Sequence, residues 1–65
     1  MTAQQMNTLR FLAVGKTNRQ IASQLEIEEN TVRINLSAIL KNLGVETRIE
    51  ALLVALRDGM VTIAT

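Results

Sequence analysis

Apolar residues in this chain recur three and four positions apart rather than alternating, the spacing of one face of an α-helix. Glycines punctuate the pattern. Gly15, Gly44 and Gly59 each follow an apolar-periodic stretch, where a residue in the left-handed conformation closes a helix. Thr2 with Gln5, Thr17 with Gln20 and Thr47 with Glu50 have the Thr-x-x-Gln/Glu form of a capping box, which opens one. These marks predict an all-α domain over residues 1–65, with helices at about 3–14, 18–25, 29–43 and 48–57. The tail from Met60 to Thr65 has no clear period and is assigned no element.

Each predicted helix has a face to bury. Met6, Leu9, Leu12 and Ala13 form the stripe of the first, and Ile21, Ala22 and Leu25 that of the second. The link between the second and third, Glu26 to Glu29, is very short, with Ile27 as its apolar anchor. In the third, Val32, Leu36, Ile39, Leu40 and Leu43 make a buried stripe, and Asn30, Arg33, Ile34, Ser37 and Lys41 lie opposite. The fourth is apolar almost all round. Ile49, Leu52, Leu53 and Leu56 suffice to cover the first and third helices, which leaves Ala51, Val54 and Ala55 with nothing to pack on inside so small a domain. That second stripe is the expected surface of a symmetric homodimer; the plain alternative is that small side chains simply stand exposed.

Composition narrows the chemistry. At 65 residues the chain holds one small core and no room for a deep cleft, and 48% apolar content argues against disorder. It has no Cys and no His, which rules out disulfides and thiolate or imidazole metal sites. No metal and no cofactor are expected. Without those two residue types a catalytic constellation is not visible, and Glu26, Glu28 and Glu29 read as a solvated turn, so an enzyme is rejected. The isolated glycines form no phosphate-cradling loop. The N-terminal stretch lacks the basic and apolar regions of a signal peptide, and the longest apolar run, Ala51 to Leu56, is too short to span a bilayer. A soluble cytoplasmic protein with no membrane partner is expected.

Net charge is only +1, so any affinity for nucleic acid rests on where the cations stand. Two short helices joined by a tight turn and lying on a third make a helix-turn-helix, whose second helix enters the DNA major groove. The outward face of the third helix suits that role. Arg33 can donate two hydrogen bonds to the O6/N7 edge of guanine, Ile34 can pack on a thymine methyl, and Ser37 can donate or accept; Asn30 shares that face. Lys16, Asn18, Arg19, Lys41 and Arg48 are placed to reach phosphates from the flanks. Two observations weigh against this reading. A surface helix with two cations is usually just solvated, and Glu28 and Glu29 bring negative charge toward phosphates. The rival is a helix-turn-helix used as a protein-interaction module that binds another regulator through the fourth helix.

The string Gly15-Lys-Thr-Asn18-Arg-Gln-Ile21-Ala22-x-x-Leu25, then Thr31-Val32-Arg33, then Ile39-Leu-Lys-Asn-Leu43-Gly44-Val45-x-x-Arg48-x-Glu50-Ala51, strongly resembles the LuxR-type (GerE, NarL/FixJ) DNA-binding domain over roughly residues 2 to 59. The resemblance implies a four-helix LuxR/GerE-like helix-turn-helix domain that binds promoter double-stranded DNA as a dimer and regulates transcription. It implies a basic groove-facing role for Arg33 and groove-facing roles for Ile34 and Ser37. Asn18 and Thr31 match positions that approach the DNA backbone, and the fourth helix matches the self-association helix. It also implies an upstream receiver or ligand-binding domain, absent from this chain. Four positions depart from the family's pattern: Asn35 stands where His is common, Asn42 where Lys or Arg is, Gln4-Gln5 where Arg-Glu is, and Glu28 where a Ser or Thr cap is usual.

Overall fold

A computed structural model describes residues 1–62, and within them the chain forms four α-helices: α1 (Ala3–Ala13), α2 (Asn18–Leu25), α3 (Glu29–Leu43) and α4 (Arg48–Arg57). The first helix ends one residue earlier than expected, because Val14 at φ −92°, ψ 9° has already left helical geometry. Residues 63–65 of the unassigned tail lie outside the described region.

Helix starts follow the threonines. At α1 and α2 the Thr2 and Thr17 hydroxyls accept from the Gln5 and Gln20 backbone N–H groups, and each glutamine side chain accepts from the threonine's own N–H in return. The box at α4 is only half made. Thr47 Oγ1 accepts from the Glu50 N–H, but the Glu50 carboxylate accepts from the Thr47 hydroxyl at 3.0 Å instead of from the Thr47 backbone N–H. At α3 Glu28 occupies the capping position and its side chain caps nothing.

All four helices end alike. Each closes with a pair of backbone bonds in which one residue, Gly15, Glu26, Gly44 or Gly59, bonds back three positions and the next bonds back five. Gly44 and Val45 do this onto Lys41 and Leu40, and Glu26 and Ile27 onto Ser23 and Ala22. Glu26 is the unexpected member. It holds the left-handed conformation at φ 56°, ψ 45°, elsewhere filled by glycine among the described residues. The sharp turn between α2 and α3 depends on it.

The core is one cluster fed by every helix: Leu9 and Leu12, Ile21 and Ala22, Val32, Leu36 and Ile39, Ala51 and Ala55, closed by Val61. Helix α3 is its axis, packing against α1, α2 and α4, whereas α2 and α4 do not pack on each other. Polar groups inside are matched. Thr8, fully buried, donates to the Gln4 carbonyl at 2.8 Å, and Asn35 donates to Gln4 Oε1 at 2.8 Å. Among the described residues no buried side-chain nitrogen or oxygen lacks a partner.

The fourth helix is rotated from the sequence expectation, which holds for Leu52 and Leu56, packed against the core, and fails for Ile49, Ala51, Leu53 and Ala55. Ala51 and Ala55 are 0% exposed and face the core, whereas Ile49 and Leu53 are 68% and 62% exposed. Val54, Leu52 and Leu56 are half-buried at the edges. Ala51 and Ala55 are therefore unavailable to a second subunit. The reason is volume: α4 must lie close against both α1 and α3, and small residues one turn apart permit that approach where a leucine or isoleucine pair would hold the backbones apart.

Candidate nucleic-acid interface

The packing of α3 decides which of its side chains are free. Val32, Leu36 and Ile39 are committed to the core, and Asn35 sits beside them, held to α1 by Gln4. Rotation about the helix then leaves Asn30, Arg33, Ile34 and Ser37 on one solvent-facing side, with Ile34 60% exposed. Lys41 continues that side toward the helix C-terminus and is exposed. Ile34 stands in water between Arg33 and Ser37, so this side offers a guanidinium, an apolar group and a hydroxyl together.

The flanking residues divide. Arg19 and Arg48 are exposed, and Lys16, Asn18 and Thr31 are half-buried. Asn18 and Arg48 do not act singly, since the Arg48 guanidinium donates to Asn18 Oδ1 at 2.9 Å. That contact bridges α2 and α4, helices that otherwise do not meet, and sets their N-termini side by side. With its oxygen engaged, the Asn18 amide presents its N–H₂ outward as a donor, and the remaining guanidinium N–H groups stay free. Among the described residues the ion pairs are Arg33–Glu29 at 3.8 Å and Arg57–Asp58 at 3.1 Å, so Lys16, Arg19, Lys41 and Arg48 are in none.

Sequence reasoning missed several of the contacts that hold these helices in place. Asn35 reads as a mere departure from the family's pattern, yet with Gln4, another such departure, it makes the bond that fixes α3 against α1. Two unusual residues on different helices were the available signal. Val61 in the tail is buried in the core and Met60 packs against it, because Gly59 turns the chain out of α4 and brings it beside Arg10 and Val14 at the end of α1. An apolar pair just past a helix-ending glycine is the pattern that announces such a return.

The sequence pattern that defines bacterial regulatory proteins of the luxR family matches residues 1–55. The chain belongs to that family. It is a helix-turn-helix domain from a family of DNA-binding transcription regulators, which are not enzymes. It is 42% identical over 55 residues to the glycerol metabolism activator of Pseudomonas putida, covering 85% of this chain and 25% of that protein. With the nitrate/nitrite response regulator protein NarP of Escherichia coli it shares 37% over 58 residues, 89% of this chain and 27% of the relative. The spore germination protein GerE of Bacillus subtilis is 37% identical over 59 residues, 91% of this chain and 80% of GerE. A solved structure of the transcription factor GerE superposes with a TM-score of 0.92 at 31% identity, covering 98% of this chain and 96% of that one. The chain spans about a quarter of the length of the first two of these relatives. No helix among the described residues is long and apolar enough to cross a membrane.

Proposed function

We propose that this luxR-family domain reads double-stranded DNA by laying α3 in the major groove, and that it does so as a homodimer. The observation that carries the first half is the division of α3 into a core-facing side and an uncovered side with Arg33, Ile34, Ser37 and Asn30. Arg33 donates to guanine, Ile34 packs against a thymine methyl, and Ser37 and Asn30 adapt to the neighbouring edges. Lys16, Arg19, Thr31, Lys41 and the Asn18–Arg48 pair hold phosphates on either flank and set the register. The domain acts in the cytoplasm or nucleoid, under a signal-receiving domain of the kind the longer response regulators suggest.

For the second half, the outward side of α4 supplies the contact. Ile49 and Leu53 stand one turn apart with the half-buried Leu52 and Leu56 beside them, an apolar strip that a second copy covers by two-fold symmetry. The domain measures 29 × 28 × 19 Å, which lets two copies sit side by side on half-sites about 34–36 Å apart.

The test is selection of bound fragments from random duplexes, followed by anisotropy titrations of the enriched sequence at several salt concentrations. The logarithm of affinity should fall with the logarithm of salt at about −0.9 per phosphate neutralised. Arg33→Ala should cost about 1–3 kcal/mol on the enriched site and relax one base position. Lys41→Ala should weaken all sequences alike and make the salt slope shallower by about one. Salt-insensitive association with another protein through α4, and no enrichment of any duplex, would transfer support to the protein-interaction reading.

A further inference from the structure

Arg33 is not a free cation on the reading face. Its guanidinium lies 3.8 Å from the carboxylate of Glu29, one turn earlier on α3, and both side chains reach solvent. A long, exposed pair of this kind contributes little and is easily exchanged for a better partner. The carboxylate, however, does not leave. Glu29 is the first residue of α3, at the end of the helix that meets base edges, so once Arg33 turns to a base Glu29 is left facing the duplex.

A carboxylate only accepts hydrogen bonds. Phosphate oxygens, guanine O6 and N7 and thymine O4 are acceptors as well, and repel it. The major groove offers donor hydrogens at cytosine N4 and adenine N6, and adenine's N7 acceptor lies directly beside its amino group. Cytosine is the base edge that satisfies Glu29 without a penalty.

Resting on the reading that α3 enters the major groove, we propose that Glu29 is a specificity-determining residue that selects a cytosine close to the guanine read by Arg33. Four residues of helix advance about 6 Å, and successive bases on one strand stand about 3.4 Å apart, so the two side chains meet bases one or two steps apart. On a duplex lacking that cytosine the two groups stay paired with each other. Arg33 is then neutralised and withheld from the bases, which keeps binding to unrelated sequence weak.

The experiment repeats duplex selection with the wild type, Glu29→Gln, Glu29→Ala and Glu28→Gln, then measures affinities on duplexes varied at one position at a time. The guanine contacted by Arg33 is located as the position whose preference Arg33→Ala removes. Wild type should prefer cytosine by about fivefold or more at one position within two steps of it. Glu29→Gln should move that preference to adenine, because a glutamine amide pairs with N6 and N7, while the guanine preference stays. Glu29→Ala should lose the cytosine preference without gaining adenine. Glu28→Gln removes the same charge next door without touching Arg33, and should keep cytosine. Unchanged selection by Glu29→Gln, or equal relaxation by Glu28→Gln, overturns the role of Glu29. So does a wild type that selects guanine and no cytosine. A wild type that enriches no duplex, or an Arg33→Ala protein that keeps every base preference, overturns the docking of α3 and the proposal with it.

Discussion

The conformation of Glu26 can be turned into a number. A left-handed backbone crowds Cβ against the following carbonyl and costs an L-residue about 1–2 kcal/mol. Glu26 accepts that cost at φ 56°, and Gly44 avoids it at φ 68°, in the same kind of helix-ending turn. Glu26→Gly should therefore stabilise the domain. The relief is partly offset by the greater freedom of glycine in the unfolded chain, about 0.4–1 kcal/mol, which leaves a net gain of about 0.5–1 kcal/mol. The converse change, Gly44→Ala, reverses both terms and should destabilise by about 0.5–1 kcal/mol. A Cβ built at Gly44 meets nothing within 4 Å, so the loss is conformational and owes nothing to a clash. For a domain of this size each kcal/mol moves Tm by about 4–8 °C. Thermal unfolding followed by circular dichroism would then show Glu26→Gly melting about 2–8 °C above the parent and Gly44→Ala below it. A Glu26→Gly protein that melts lower would mean that the glutamate makes a compensating contact, and that the α2–α3 turn is held by something other than backbone geometry.

Other substitutions separate the remaining claims. Leu53→Asp, on the exposed strip of α4, should abolish self-association in sedimentation while leaving Tm within a few degrees of the parent; a dimer that persists removes α4 from the interface. Ala55→Leu, two residues along on the opposite side, should instead destabilise by about 1–3 kcal/mol through overpacking, read from denaturant unfolding, and unaltered stability would contradict the inward orientation of Ala55. Glu28→Thr supplies the missing cap of α3 and should add about 1 kcal/mol of stability. It should also tighten binding to duplexes of any sequence, since it removes a negative charge from the groove-facing end, and weaker binding would place that end away from the phosphates.

Most of the framework was legible because its signals are local. A threonine with a glutamine three places on, ahead of an apolar-periodic run, marks a helix start, and the observed bonds at Thr2 and Thr17 are local to the chain. The stripe of α3 was legible for a related reason: its apolar residues fall on one side, so the free side containing Arg33, Ile34 and Ser37 follows by subtraction. Glu26 escaped notice because a glutamate carries no sign of the left-handed conformation that a glycine advertises. The links Gln4–Asn35 and Asn18–Arg48 escaped because each joins positions about thirty residues apart, and side-chain pairing at that range depends on how the helices pack.

The rotation of α4 carries the general point. Periodicity establishes that this helix has two apolar stripes, but it does not say which one faces inward, and ranking them by hydrophobicity gives the wrong answer. Burying Ile49 and Leu53 would remove more apolar area than burying Ala51 and Ala55, so a rule based on area alone turns the helix the wrong way. Close packing imposes a second condition. The space between α1 and α3 is already filled by Leu9, Leu12, Leu36 and Ile39, and only alanine-sized residues let α4 settle against them at normal density. Leu52 and Leu56 then pack at the edges of the core, and Ile49 and Leu53 are left outside. That outcome makes the case for a partner stronger than the sequence expectation did, because an exposed alanine costs almost nothing, whereas Ile49 and Leu53 in water forgo burial worth about 1.5–3 kcal/mol each. A second copy seated on α4 recovers that burial.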